Sequence, residues 1–203
     1  MRGDCIWSFF SLLGTISITE DGSGNITGVY LPSDNLPPMD QCETSALRDA
    51  SRQINEYLSG KRMDFDLDLY YDGSDFRCRV MEELNRIPYG EVRTYKQVAE
   101  AIGYPRSMRA VGMACADNPL PILVPCHRVV PSSGGYGNYR GGTSLKRRLL
   151  NLEGISFDRL PQDALRCRRA GICKVLIQAD PGERGDHGRQ GAHPQEDRQG
   201  DSL

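Results

Sequence analysis

Histidine is scarce in this chain of 203 residues: there are three, and two of them, His187 and His193, lie in a polar stretch near the C-terminus. Imidazole chemistry in the folded body therefore rests on His127. No C-x-x-C pair occurs among the seven cysteines (5, 42, 78, 115, 126, 167 and 173), and their number is odd. That argues against a zinc ribbon and a disulfide framework, and reduced thiols in an intracellular protein are expected. Spacing alone leaves open a meeting of Cys5 with Cys42. Long apolar runs are also missing, so no segment is expected to cross a membrane. Cys5 to Gly14 has the length of a signal-peptide apolar region, but Asp4 sits in the flank that should be positive, and Ser8 and Ser11 interrupt the run. It reads as a buried strand. The glycine-rich run from Ser132 to Gly142 lacks the Lys-Ser/Thr ending of a phosphate-binding loop, which excludes that reading.

A large net charge is absent too, yet the total of −2 conceals an asymmetry. Residues 1–74 hold 5 Lys/Arg against 12 Asp/Glu, residues 75–160 hold 13 against 8, and residues 161–203 hold 7 of each. A basic segment behind an acidic one suits a nucleic-acid-binding half joined to a non-binding half, though uneven surface charge alone gives the same balance. Three segments follow: a small α/β unit over 1–74, a functional unit over 75–160, and a polar tail over 161–203 that lacks apolar periodicity and is expected to be disordered.

In the first unit, residues 14–31 read as a hairpin turning at Asp21-Gly22-Ser23-Gly24. Leu47, Ala50, Ile54 and Leu58 fall at helical spacing between about Glu43 and Leu58. A short strand is expected from Phe65 to Tyr70. In the second unit Phe76, Val80, Leu84 and Ile87 share one helical face. Thr94 is placed to cap a helix from Tyr95 to about Ile102, and Ser107 to cap another from Met108 to about Asp117. Two short helices around a Gly-containing turn suggest a helix-turn-helix, whose second helix normally faces DNA. That helix is small-sided at Ala110, Gly112, Ala114 and Ala116, which permits close approach to a groove or to another helix, with Arg109 projecting. Pro121 to Val124 is an apolar extended run leading to Cys126. Thr143 is placed to cap a last helix through Leu152, with Glu153 in its final turn. A carboxylate there opposes the helix dipole and so suggests a role elsewhere, such as orienting a histidine.

The run Pro125-Cys126-His127-Arg128-Val129-Val130 puts a cysteine beside the folded body's only histidine. A thiolate is the reactive form of cysteine, and imidazole can take its proton directly or through water. A bare Cys-His pair is weak evidence, and a buried structural cysteine is its commoner meaning. The surrounding motifs change this.

Ile87-Pro88-Tyr89-Gly90-Glu91, Tyr95, Arg109-Ala110-Val111-Gly112, Asn118-Pro119, Pro125-Cys126-His127-Arg128-Val129 and Gly137-Asn138-Tyr139 stand in the order of one family. The chain resembles the O6-alkylguanine-DNA alkyltransferases, densely over about 80 residues of the second half and more loosely over the first. The resemblance implies a ribonuclease-H-like α/β first domain (small antiparallel sheet plus helix) and a mostly α, winged-helix-like second domain with a minor-groove helix-turn-helix. It implies repair by direct reversal: the damaged base is flipped out and its alkyl group moves irreversibly to Cys126, one group per molecule. His127 would take the thiol proton through water, Glu153 would orient the imidazole, and Asn118 would hold the break between the DNA-reading helix and the active-site strand. Tyr95 would donate to the purine. Arg109 would fill the stack, with Ala110, Gly112, Tyr95 and Arg128 at the DNA. Val129, Tyr139, Arg140 and Met113 would form the pocket; Arg140 stands where relatives often have Ser. The implied partner is double-stranded DNA containing O6-alkylguanine, with O4-alkylthymine a further possible substrate. A monomer, cytoplasmic or nuclear in a eukaryote, follows from the same resemblance. No cofactor is expected. Some relatives hold zinc in the first domain through Cys and His, and the lack of histidine there leads to no metal being expected. Three rivals remain: an alkyltransferase-like protein that flags damage without transfer, a hydrolytic thiol enzyme that turns over, and a sequence-specific regulator.

Overall fold

The computed structural model describes residues 4–157; the segment expected to be a disordered tail, with Cys167, Cys173, His187 and His193, lies outside the described residues. Four strands, β1 (Cys5–Ser11), β2 (Gly14–Glu20), β3 (Ile26–Tyr30) and β4 (Asp40–Gln41), form a sheet in the order β3-β2-β1-β4. The hairpin expected over 14–31 is present. Central β2 is buried on both faces, with Ile16 and Ile18 on one. Its hydroxyls find partners across the strands, Ser17 with Ser8 at 2.8 Å and Thr19 with Thr27 at 3.0 Å, so their burial leaves no polar group unpaired.

The sheet is mixed, not antiparallel as expected, because β4 runs parallel to β1 with Cys5 beside Asp40. A two-residue edge strand carries no periodicity to read. Its pairing also brings Cys42 to Cys5, and the two form a disulfide with Cα atoms 5.8 Å apart. This corrects the expectation of reduced thiols throughout. Cys5 Sγ, Cys42 Sγ and a Glu20 carboxylate oxygen lie within 4.8 Å of one another. As a disulfide, however, the sulfurs offer no thiolate to a metal. β1 is buried only at its start: Phe10 near its end is 88% exposed, and Leu12 in the turn that follows is 66% exposed.

Helix α1 (Ser45–Leu58) packs on β1 and β2. Thr44 caps it by accepting from Leu47 N at 3.1 Å, and the four apolar residues at helical spacing are buried, together with Tyr57. The strand expected at Phe65 to Tyr70 reduces to one bridge, Leu69 with Ile26.

The second half contains α2 (Asp75–Asn85), α3 (Tyr95–Ala101), α4 (Met108–Ala116) and α5 (Gly142–Leu152), with β5 (Arg93–Thr94) parallel to β6 (Val129–Val130). Thr94 and Gln97 make a reciprocal capping box that fixes the start of α3. Two expected caps differ. Ser107 makes no side-chain capping bond, and Gly141 is the N-cap of α5, with the Thr143 hydroxyl reaching back to Gly137 O. One hydrophobic core runs through both halves, from Ile16 and Leu47 through Tyr57 to Leu84, Val111 and Cys126. Among the described residues no helix is long and apolar enough to cross a membrane.

Candidate active site

The chain between α4 and Cys126 is a compact loop and not the extended run expected. Ile122 has φ +78°, a left-handed conformation costly for a β-branched residue, and it is held fully buried. Asn118 organises this loop. Its Oδ1 accepts from Leu120 N at 2.9 Å, while Nδ2 donates to Val124 O at 2.9 Å and to Cys126 Sγ at 3.1 Å. The side chain expected to hold this break thus also touches the thiol.

Cys126, His127 and Arg128 form one 3-10 turn, and all three are buried. Burial pushes the Cys126 thiol pKa up, opposed by the Asn118 hydrogen bond and by the positive charges of Lys146 and Arg140. The His127 ring turns its Nε2 toward Glu153 Oε1 at 2.9 Å. Facing a carboxylate, Nε2 carries the proton, which leaves Nδ1 as the basic nitrogen. Nδ1 is buried without a hydrogen-bond partner among the described residues. Burial lowers the His127 pKa, Glu153 partly opposes this, and the ring is held neutral at pH 7.

Glu153, the residue after α5, gathers four groups. Arg128 donates to it through Nε at 3.0 and 3.1 Å and through Nη2 at 2.9 Å; Tyr57 Oη donates at 2.5 Å and Gly90 N at 3.2 Å, beside the His127 contact. Burial would raise its carboxyl, but hydrogen bonds and charge from His127 and Arg128 outweigh this and hold it at about 2. Nearby, Tyr89 Oη donates to Leu152 O at 2.8 Å and ties the Pro88-Tyr89-Gly90 turn to the end of α5.

Arg128 is the clear correction among the expected DNA contacts. It is 5% exposed, spends its guanidinium on Glu153 and Ile87 O (2.7 Å), and stacks over Tyr89. A buried carboxylate requires a paired cation, and that demand holds Arg128 inside. Met113, expected in the pocket, is 67% exposed on α4, on the outer side with Arg109 and Ala110.

A pocket of about 130 Å³ opens beside Cys126, lined by Tyr95, Gly112, Cys115, Tyr139 and Arg140 among others. Four expected site residues besides Cys126 therefore meet there. Burial, then the neighbouring thiols, raise the Tyr95 hydroxyl to about 12, so it remains a proton donor at neutral pH. Val129 lies behind the wall, its carbonyl accepting from Lys146 Nζ at 2.6 Å.

Sequence reasoning missed Tyr57, Lys146 and Cys115. Tyr57 occupies the apolar face of α1, where a hydroxyl-bearing ring needs a polar partner. Lys146 is fully buried between Leu145 and Leu149 on α5, bound to Val129 O and, at 3.3 Å, to Asn138 O. Burial lowers it to about 8, with the thiols of Cys126 and Cys115 acting the other way.

A thiol beside an imidazole–carboxylate pair, at a pocket walled by residues of α3 and α4, belongs to the class of thiol group-transfer proteins. The comparisons with known proteins make the class specific. Residues 75–155 match the family model described as 6-O-methylguanine DNA methyltransferase, DNA binding domain. The constitutive methylated-DNA–protein-cysteine methyltransferase of Bacillus subtilis is 39% identical over 153 residues, covering 71% of this chain and 92% of the relative. That of Methanosarcina barkeri is 50% identical over 106 residues, 52% of this chain and 67% of the relative. The structure of Mycobacterium tuberculosis OGT in complex with DNA superposes with a TM-score of 0.69 at 36% identity, over 73% of this chain and 92% of that one. The chain belongs to the methylated-DNA–protein-cysteine methyltransferase family.

Proposed function

We propose that this protein repairs duplex DNA by moving the alkyl group of O6-alkylguanine to Cys126, once per molecule. The observation that carries the reading is the geometry around the thiol: Cys126 Sγ at the pocket, Asn118 on it, and His127 with a free Nδ1 backed by Glu153. His127 Nδ1 takes the thiol proton through a water molecule, and the imidazolium that forms is stabilised by Glu153. The sulfur then attacks the alkyl carbon, the carbon–O6 bond breaks, and its electron pair passes to guanine. Guanine gains a proton from Tyr95, which is re-protonated from the imidazolium by way of solvent. The net change is a thioether and guanine, with atoms and charge balanced. No mild route returns a thioether to a thiol, so the protein acts as a stoichiometric reagent.

Cys126 is buried inside the pocket, so a base reaches its thiol only by leaving the duplex stack, at a cost of a few kcal/mol. Arg109, exposed on α4, is positioned to enter the gap, and Ala110 and Gly112 allow the helix to approach a minor groove. A Cβ at Gly112 would sit 3.8 Å from the Tyr95 ring, so the glycine also keeps the pocket mouth open. The ribonuclease-H-like and winged-helix-like readings of the two halves, divided near residue 74, belong to the same proposal, as does a monomer on DNA.

Cys126→Ala tests it. The variant is expected to bind a duplex with one O6-methylguanine within about threefold of the wild type while transferring no methyl group. Methyl transfer surviving in this variant would refute the assignment; wild-type binding without transfer would favour a damage-flagging protein.

A further inference from the structure

Arg140 extends from the glycine-rich loop across the pocket wall, and both of its terminal nitrogens are bound. Nη1 donates to Asn118 O at 3.1 Å, the residue whose side chain holds the thiol. Nη2 pairs with Asp34 Oδ2 at 2.9 Å, far away in the first half. The pair is largely shielded, the two side chains being 28% and 13% exposed. Asp34 is itself pinned, because the same Oδ2 accepts from Leu31 N at 2.9 Å and its own N–H donates to Leu31 O at 2.9 Å. Leu31 in turn packs so closely on the loop that a Cβ at Gly141 would collide with it and with Leu145. One turn of the first half thus grips two consecutive residues of the pocket loop.

We propose that the Asp34–Arg140 ion pair is a latch that sets the size of the alkyl group the pocket accepts. This rests on the alkyl-transfer reading above. At about 130 Å³ the pocket is small beside the roughly 300–1,000 Å³ of sites for drug-sized ligands. On the Arg140 side of the pocket a bulky substituent on O6 gains room when this wall moves, and moving it breaks the ion pair and the Asn118 contact. The acidic half therefore acts as a specificity element and not only as a scaffold. The expected substrates are guanines with small alkyl groups, and those with bulky aromatic groups are disfavoured.

The test compares single-turnover rate constants for a duplex carrying O6-methylguanine and for the free base O6-benzylguanine, and reads their ratio. Asp34→Asn keeps the Arg140 side chain but removes its partner; Arg140→Ser removes the side chain. Both are expected to raise the benzyl-to-methyl ratio, by about tenfold, the scale on which pocket walls discriminate. The exchange Asp34→Arg with Arg140→Asp restores the pair and is expected to bring the ratio back toward that of the wild type. Thermal melts show that each variant is folded. A ratio within about twofold of wild type in both single variants overturns the latch, and so does a rise confined to Arg140→Ser, which would reflect bulk alone. Failure of the wild type to take a methyl group on Cys126 would instead overturn the underlying function, and the methyl arm reports that separately.

Discussion

Replacing Glu153 with Gln keeps the shape of the side chain and removes the charge that Arg128 and His127 depend on. The cost can be gauged in two ways from the same contacts. Glu153 and Arg128 form an ion pair with side-chain exposures of 0% and 6%, and removing one partner of a buried pair typically costs about 3–5 kcal/mol because the other charge is left stranded. Against the opposing effect of burial, His127 and Arg128 hold the carboxyl at about 2, well below the ordinary 4.5, which is of the same order, about 3 kcal/mol. Between those values the unfolded chain binds the proton and the folded chain does not. Stability from this group is therefore complete above pH 4.5 and is lost as pH falls toward 2. Urea unfolding followed by tyrosine and tryptophan fluorescence at pH 7 should show a loss of about 3 kcal/mol or more for Glu153→Gln. The wild-type advantage over the variant should shrink steadily as the pH is taken below 4.5. Arg128→Ala should cost a similar amount, and the double variant much less than the sum of the two. A loss below about 1 kcal/mol, or additive losses, would refute the idea that this pair anchors the site.

Arg109→Ala should slow transfer from duplex DNA by about tenfold or more while leaving reaction with a free alkylguanine base nearly intact, as measured in parallel single-turnover assays; equal losses on both would remove its base-flipping role. Lys146→Met should shift the pH profile of methyl transfer to higher pH, because the ammonium lowers the Cys126 thiol pKa, and an unmoved profile would confine Lys146 to holding Val129 O and Asn138 O. Cys5→Ser opens a disulfide that closes 37 residues and should lower unfolding stability by about 2–4 kcal/mol with transfer retained. A Cys5→Ser stability indistinguishable from wild type would mean that the bond does not form in solution.

Local pattern carried a good part of this fold. The hairpin, the apolar face of α1, the Thr94 cap of α3 and the Cys126-His127 pair were all readable, because each depends on residues within a turn or two of one another. Glu153 was legible as a candidate because a carboxylate after a helix C-terminus is out of place electrostatically. Arg128 was misread: charge balance gives the sign of a segment but not which cations face inward, and only the folded position of Glu153, 25 residues away, decides that. Tyr57 reaches His127 across 70 residues, a contact that helical spacing can mark as inward but cannot aim. The Phe65 to Tyr70 segment has the apolar alternation of a strand yet lies beside β3 with a single bridge, since alternation reports a half-buried surface and not a ladder of hydrogen bonds.

The most direct test of the central claim is the number and position of alkyl groups the protein accepts. Purified protein incubated with excess duplex carrying O6-methylguanine, then digested and read by peptide mass spectrometry, should show one methyl group per molecule, on Cys126, with no further repair after saturation. Repair continuing beyond one equivalent, or a methyl group on any other residue, would contradict it.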